Sequence, residues 1–148
     1  MPTRVDFAFG APDRLGMACE VVRKHYLAGR RLVVYTKDKQ RLNHFDRLLW
    51  GFDPTAFIPH VMAGDPLAPQ TTVLFTSDAP ALAMPDAAQG SPWLINLDLA
   101  CPPAAEKFPR ILEIVGDHVD DKAAARERWR QYKTAGYDLH AHDVSKKP

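Results

Sequence analysis

Apolar and polar positions along this chain change rhythm several times, and each change predicts an element. Thr3 to Phe9 alternates and is rich in Val and Phe, which predicts a strand. Ala11-Pro12-Asp13 then opens a helix, with Pro near its first turn and Asp at its N-terminus. Leu15, Ala18, Cys19, Val22, Tyr26 and Leu27 form a helical stripe, and Gly29 caps its end. Arg31 to Thr36 is a β-branched run with no polar break, as in a strand covered on both faces of a parallel sheet. Asp38 to Trp50 is a second helix with Leu42, Phe45, Leu48 and Leu49 inward.

The middle is looser. Phe52 to Ile58 is turn-rich around Asp53-Pro54, and Asp78 to Ser91 is a Pro/Ala/Asp loop with room for one helical turn. Thr72–Thr76, Trp93–Leu97 and Arg110–Val115 are further strands, and a basic helix from Asp121 to Leu139 follows Gly116. The β-α-β-α order predicts a single α/β domain over residues 1–139. It is a mostly parallel, twisted sheet with helices on both faces, Rossmann-like without a phosphate-binding loop. Residues 140–148 read as a polar, frayed C-terminal tail.

Composition narrows the function classes. At 148 residues, 46% hydrophobic and 25% charged, the chain is an ordinary globular domain. A net charge of +1 argues against a whole-protein nucleic-acid binder but leaves room for a local basic patch. Cys19 and Cys101 form no C-x-x-C pair, so a reduced, cytoplasmic protein is the simplest reading. No signal peptide is expected, and no apolar run approaches the ~20 residues of a spanning helix.

Enzyme chemistry is sparse. The first strand–helix turn, Phe9 to Met17, contains neither G-x-x-x-x-G-K-[ST] nor G-x-G-x-x-G, and Gly16 reads as a helix–strand packing position. His140 and His142 are the only close histidine pair, two ligands where about four are usual, so no metal or other cofactor is expected. Asp117, Asp120 and Asp121 suit a helix N-terminus, and Asp117-His118 has no nucleophile beside it. Ser77 and Ser91 lie in no nucleophile-elbow context.

Two segments look built for contact. On the last helix, Lys122, Arg126, Trp129, Arg130 and Lys133 recur at three- and four-residue spacing on one face. Four cations around one indole suit an acidic ligand with an apolar end; the alternative is a solvated basic helix. Leu48 to His60 carries Trp50, Phe52, Phe57 and Ile58. Composition favours packing these aromatics back onto the core, since a domain of this size needs them inside; the alternative is a sticky patch.

Three segments together resemble the chi subunit of the bacterial DNA polymerase III holoenzyme. They are L-V-V-Y-T-K-D-K-Q with R-L-N-H-F-D-R-L-L-W, then F-I-P-H-V-M-A-G-D, and A-R-E-R-W-R-Q-Y-K-T-A-G-Y-D-L from Ala125 to Leu139. The resemblance covers nearly the whole chain, in order. It implies a non-catalytic accessory subunit in DNA replication. Such a subunit bridges the clamp-loader assembly, through psi, to the acidic C-terminal tail of single-stranded-DNA-binding protein. The tail site implied here is Lys122, Arg126, Trp129 and Arg130, with Val115 as a pocket wall and Lys133 on the same face; the psi-facing site is Trp50, Phe57 and Phe52. The family more often has Tyr where Trp129 stands, and the flat amphipathic role survives that change. The implied state is a monomer alone and a heterodimer with psi, touching DNA only indirectly and no membrane. The rival readings are a small nucleotide- or phosphate-ligand-binding α/β enzyme and a direct DNA binder using the basic helix.

Overall fold

Strands and helices alternate in the order the apolar rhythm predicts. The structure, a computed structural model, describes residues 2–52, 57–83 and 91–145. The elements are β1 (Arg4–Ala11), α1 (Arg14–Leu27), β2 (Leu32–Tyr35), α2 (Lys39–Gly51), β3 (His60–Met62), β4 (Val73–Thr76), β5 (Trp93–Asn96), β6 (Arg110–Gly116), α3 (Val119–Thr134) and β7 (Asp138–Asp143). The Asp53-Pro54 turn, residues 84–90 of the Pro/Ala/Asp loop and the last three residues of the expected tail lie outside the described residues. Pro80–Ala83 in that loop is a 3-10 turn.

Every strand pairing is parallel, in the order β3-β4-β2-β5-β6-β1-β7. All four residues of β2 and of β4 are buried, as strands covered on both faces must be. α1 and α2 lie on one face, over Leu32, Val34, Val73, Phe75 and Ile95. α3 lies on the other, over Val5, Phe7, Ile111 and Val115. The helix starts are set locally: Asp13 accepts from Gly16 N, and Asp38 from Gln40 N and Arg41 N. A Cβ on Gly16 would stand 2.8 Å from the Asp13 carboxylate, and the three nearest atoms all belong to Asp13. Gly16 therefore makes room for a cap, in place of the expected helix–strand packing. Among the described residues, no helix is long and apolar enough to cross a membrane.

The expectations differ from the structure at the two edge strands. β3 carries no apolar alternation to announce it. β7 occupies the stretch read as a frayed tail from His140. Its six residues pair in register with β1, from Arg4↔Asp138 to Phe9↔Asp143. A polar sequence suits an exposed edge, which must not template further pairing. α3 accordingly stops at Thr134, five residues before the predicted end. Gly136 takes φ +86°, and the Tyr137 amide donates to the Tyr132 carbonyl, so the chain turns into β7.

Two polar clusters hold this arrangement. Glu113, the only charge inside the apolar run of β6, has no exposed surface and accepts from Asn96 Nδ2 (2.8 Å), Arg128 Nε (3.0 Å) and Tyr132 OH (2.7 Å). Burial, and then the Glu113 charge, push the Tyr132 hydroxyl up, so it stays a donor. On the opposite face, Asp6 of β1 accepts from Arg4 (3.0 Å) and Arg110 (2.6 Å) and lies 2.8 Å from His142 Nε2 of β7. Burial alone would raise Asp6; the hydrogen bonds from Arg4, His142 and Arg110 outweigh it and hold the carboxyl at about 2.

Glu113→Gln leaves Arg128 buried beside a neutral amide. We expect it to cost about 3–5 kcal/mol of unfolding free energy in urea, far more than an exposed substitution such as Glu127→Gln. Asp6 has a depressed folded-state pKa, so its stabilisation is present above its unfolded value and is lost as pH falls through the folded one. Between about pH 4 and 2 the native chain should lose roughly 2 kcal/mol that an Asp6→Asn variant does not lose, measured as chemical denaturation against pH.

Candidate functional site

The C-terminal ends of β1, β6 and β7 and the Lys122–Trp129 stretch of α3 enclose a groove of ≈ 540 Å³. Its lining includes Val115, Lys122, Arg126 and Trp129, four of the residues singled out on the sequence. Helical spacing explains the cluster: Lys122, Arg126 and Trp129 lie on successive turns, facing the sheet margin. The Trp129 ring stands edge-on to Phe7 with centroids 5.1 Å apart, which braces the indole against β1. Val115 is buried at the end of β6 and supplies an apolar wall.

Two predicted members lie elsewhere. Arg130 is outside the lining and is held by Glu127 on the solvent side of α3, an ion pair that raises Arg130 and lowers Glu127. Lys133 is one turn beyond Trp129, exposed and outside the groove. Among the described residues, neither Lys122 nor Arg126 takes part in an ion pair, so both cations are available.

The second wall was not read from the sequence. Phe7, Phe9 and Gly10 of β1 and Ala141 and Asp143 of β7 line the groove, with Ser145 at its end. Gly10 is required there: it has φ +86°, and a Cβ would stand 2.9 Å from Ser145 Cβ. Once β7 is recognised as a strand, the wall follows from the odd positions of β1. Asp117 and Asp143 also line the groove, so its charge is asymmetric: cations on the α3 side and carboxylates at the strand ends. An occupant needs an anionic part for Lys122 and Arg126 and an apolar part for Trp129 and Val115.

The aromatic segment gives a second, separate patch. Trp50 is 47% exposed and Phe57 72% exposed, with ring centroids 5.2 Å apart. Both stand at the surface, unlike the core packing favoured by composition. His60 is buried behind them, its ring 4.0 Å from Trp50 and 4.9 Å from Phe75, with Nδ1 2.8 Å from the Ile58 carbonyl. This stack ties the patch to the core. Phe52 does turn inward and packs on the α1–α2 cluster.

Groups that could serve catalysis or bind a metal have other partners. The crevice after β1 is filled by Arg14, which donates to the carbonyls of Ile114 (2.9 Å) and Asp98 (3.0 Å). Burial, followed by the repulsion of Arg128, lowers Arg14 to about 10. Burial raises the Cys19 thiol to about 12 and Cys101 to about 11, which leaves both protonated. His142 and His140 lie beside Asp6 and Asp138, and the described residues contain no group of three or more His, Cys, Asp or Glu fit to hold a metal ion.

Known proteins resemble this chain over most of its length. A family profile described as "DNA polymerase III chi subunit, HolC" matches residues 1–140. A DNA polymerase III subunit chi of Pseudomonas aeruginosa is 31% identical over 144 residues, 95% of this chain and 96% of its own length. The subunit of that name in Escherichia coli is 27% identical over 127 residues, covering 84% of this chain and 81% of its own. That of Haemophilus influenzae is 25% identical over 128 residues, 86% and 85% of the two chains. The chain belongs to the DNA polymerase III chi subunit family.

Proposed function

We propose that this chain is a non-catalytic, cytoplasmic adaptor of the replicative polymerase. It grips the acidic C-terminal tail of single-stranded-DNA-binding protein in the α3 groove and the psi subunit at the Trp50–Phe57 patch. The observation that carries this reading is the pairing of an ordered indole with two uncommitted cations, Lys122 and Arg126, at one groove. Aspartates and a terminal carboxylate suit the cations, and an apolar terminal side chain suits Trp129 and Val115. Arg130 and Lys133 extend the cationic face as long-range attraction, screened by salt.

The layout of the sheet also supports bridging. The Trp50–Phe57 patch sits at the β3 edge and the groove at the β7 edge, the two ends of the strand order. Six inter-strand steps of about 4.8 Å separate those edges by roughly 29 Å. Two partners can therefore be held together without competing. The exposed aromatic pair fits a partner's apolar groove, with Phe57 as the more protruding ring.

Fluorescence anisotropy with a labelled acidic tail peptide tests the first site. Micromolar binding that weakens with salt is expected, with Arg126→Ala or Trp129→Ala each losing about 1–2 kcal/mol or more. Unchanged affinity in both folded variants removes the groove from consideration. For the second site, Phe57→Ala should weaken capture of purified psi while shifting folding stability by no more than about 0.5 kcal/mol. Intact psi binding with collapsed stability would make Phe57 a core residue instead.

A further inference from the structure

The strands of a parallel sheet all begin at one end, and here that end carries a row of cations. Arg4 of β1 is in register with Arg110 of β6, and Arg110 in turn neighbours Trp93 of β5. Arg110 stacks on the Trp93 ring with its guanidinium carbon 4.2 Å from the ring centre. Arg30, from the turn between α1 and β2, stacks on the same ring at 4.0 Å. His25 packs edge-on against the indole, with centroids 5.2 Å apart. The sequence Arg30, Trp93, Arg110, Arg4 thus runs across three neighbouring strands on the α1 face, opposite the α3 groove.

The row is ordered and under-neutralised. Arg4 and Arg110 share one carboxylate, Asp6, with His142. Among the described residues, Lys24 and Arg30 take part in no ion pair, and both are exposed. Among the described residues, Glu20 and Asp138 form no ion pair with the row's cations, although Asp138 acts on Arg4 through space. Burial, and then the cations Lys24, Arg110 and Arg30, lower the pKa of His25 against a weaker pull from Asp6, which is the sign of a net positive field. A trench of ≈ 690 Å³ runs between α1 and the strands β1, β6 and β7, lined by Lys24, His25 and Arg110 and also by the carboxylates of Asp6, Glu20 and Asp143.

We propose that this row is a docking surface for the sugar–phosphate backbone of single-stranded nucleic acid. A linear polyanion matches a linear array of cations better than a compact anion does. Guanidinium planes already held flat by an indole can donate to phosphate oxygens in fork geometry and can stack unpaired bases on their outer faces. Those features favour nucleic acid over an acidic peptide, whose aspartates and glutamates offer no rings to stack. Binding is weak and sequence-independent, because few cations are involved and no base-edge contact is built in.

The test titrates the full chain with fluorescein-labelled oligo(dT) at several salt concentrations, alongside the acidic tail peptide. Expected is oligo(dT) binding with a log–log salt slope of roughly −2 to −3, about −0.7 per phosphate contact. A Lys24→Glu/Arg30→Glu variant should weaken it about tenfold or more, leaving peptide affinity unchanged and the chain folded, while Arg126→Ala should leave oligo(dT) affinity unchanged. The proposal fails if a folded chain binds no oligo(dT) at low salt. It also fails if Arg126→Ala removes that binding and Lys24→Glu/Arg30→Glu does not, or if the double variant loses the peptide instead. Oligo(dT) binding without peptide binding would uphold this row and overturn the adaptor reading of the α3 groove.

Discussion

The rotation of α3 about its own axis depends on one carboxylate that water cannot reach. Glu113 lies between Ile111 and Val115 on the α3 face of β6, and three donors from two directions converge on it. Arg128 and Tyr132 are four residues apart on α3, so engaging both fixes the helix in height and in rotation. Arg128 also donates to the Leu99 carbonyl at 2.9 Å, which ties in the loop after β5. A desolvated ion pair of this kind is weak as a source of stability, because desolvation offsets the Coulomb attraction. It is strict about geometry, because any other rotation strands a buried charge. With Arg128 inward, Lys122, Arg126 and Trp129 face β1 and β7, and the groove follows.

The opposite wall depends on a strand that apolar pattern alone would not form. β7 has little to bury, and its in-register pairing with β1 spans most of the sequence. What holds it in place sits on the other face of the sheet, where His142 reaches Asp6. Residues alternate across a strand. His142 therefore anchors β7 from one face while Ala141 and Asp143 line the groove from the other. Gly10 completes the wall at the strand end, where the register between β1 and β6 shifts after Ala8.

Where local chemistry decided the outcome, the sequence was readable. β2, β4 and β5 are short apolar runs, and Asp13 and Asp38 announce their helices; these elements lie within a residue or two of expectation. The groove's helical side was legible because spacing alone puts Lys122, Arg126 and Trp129 on one face. Arg130 and Lys133 share that spacing but not the groove: Arg130 turns to Glu127 on the solvent side, and Lys133 lies a turn beyond Trp129. Arg128 carries no signal of its own in the spacing of the helix. The signal that could have found it was Glu113, a lone charge inside R-I-L-E-I-V-G that could be buried only beside a cation. β7 and β3 were out of reach, since edge strands take their structure from a neighbour and not from their own pattern. Trp50 and Phe57 ran against composition because His60 and Phe75 fill the space beneath them.

The net charge of +1 conceals how the charges are used. Carboxylates do internal work throughout the fold. Asp13 and Asp38 cap helices, Asp98 accepts from Thr36 and Lys37, and Asp6 and Glu113 are buried among donors. A carboxylate spent in this way contributes little field at the surface, where its partner dipoles and cations cancel it. The cations Lys122 and Arg126 on one face, and Lys24 and Arg30 on the other, have no such engagement among the described residues. A nearly neutral chain thereby presents two positive surfaces on opposite faces of one sheet. One is short, apolar-walled and bounded by Asp117 and Asp143, which suits a chain end; the other is a line of cations across three strands, which suits a continuous polyanion. Shape, more than the number of cations, separates what each surface can hold.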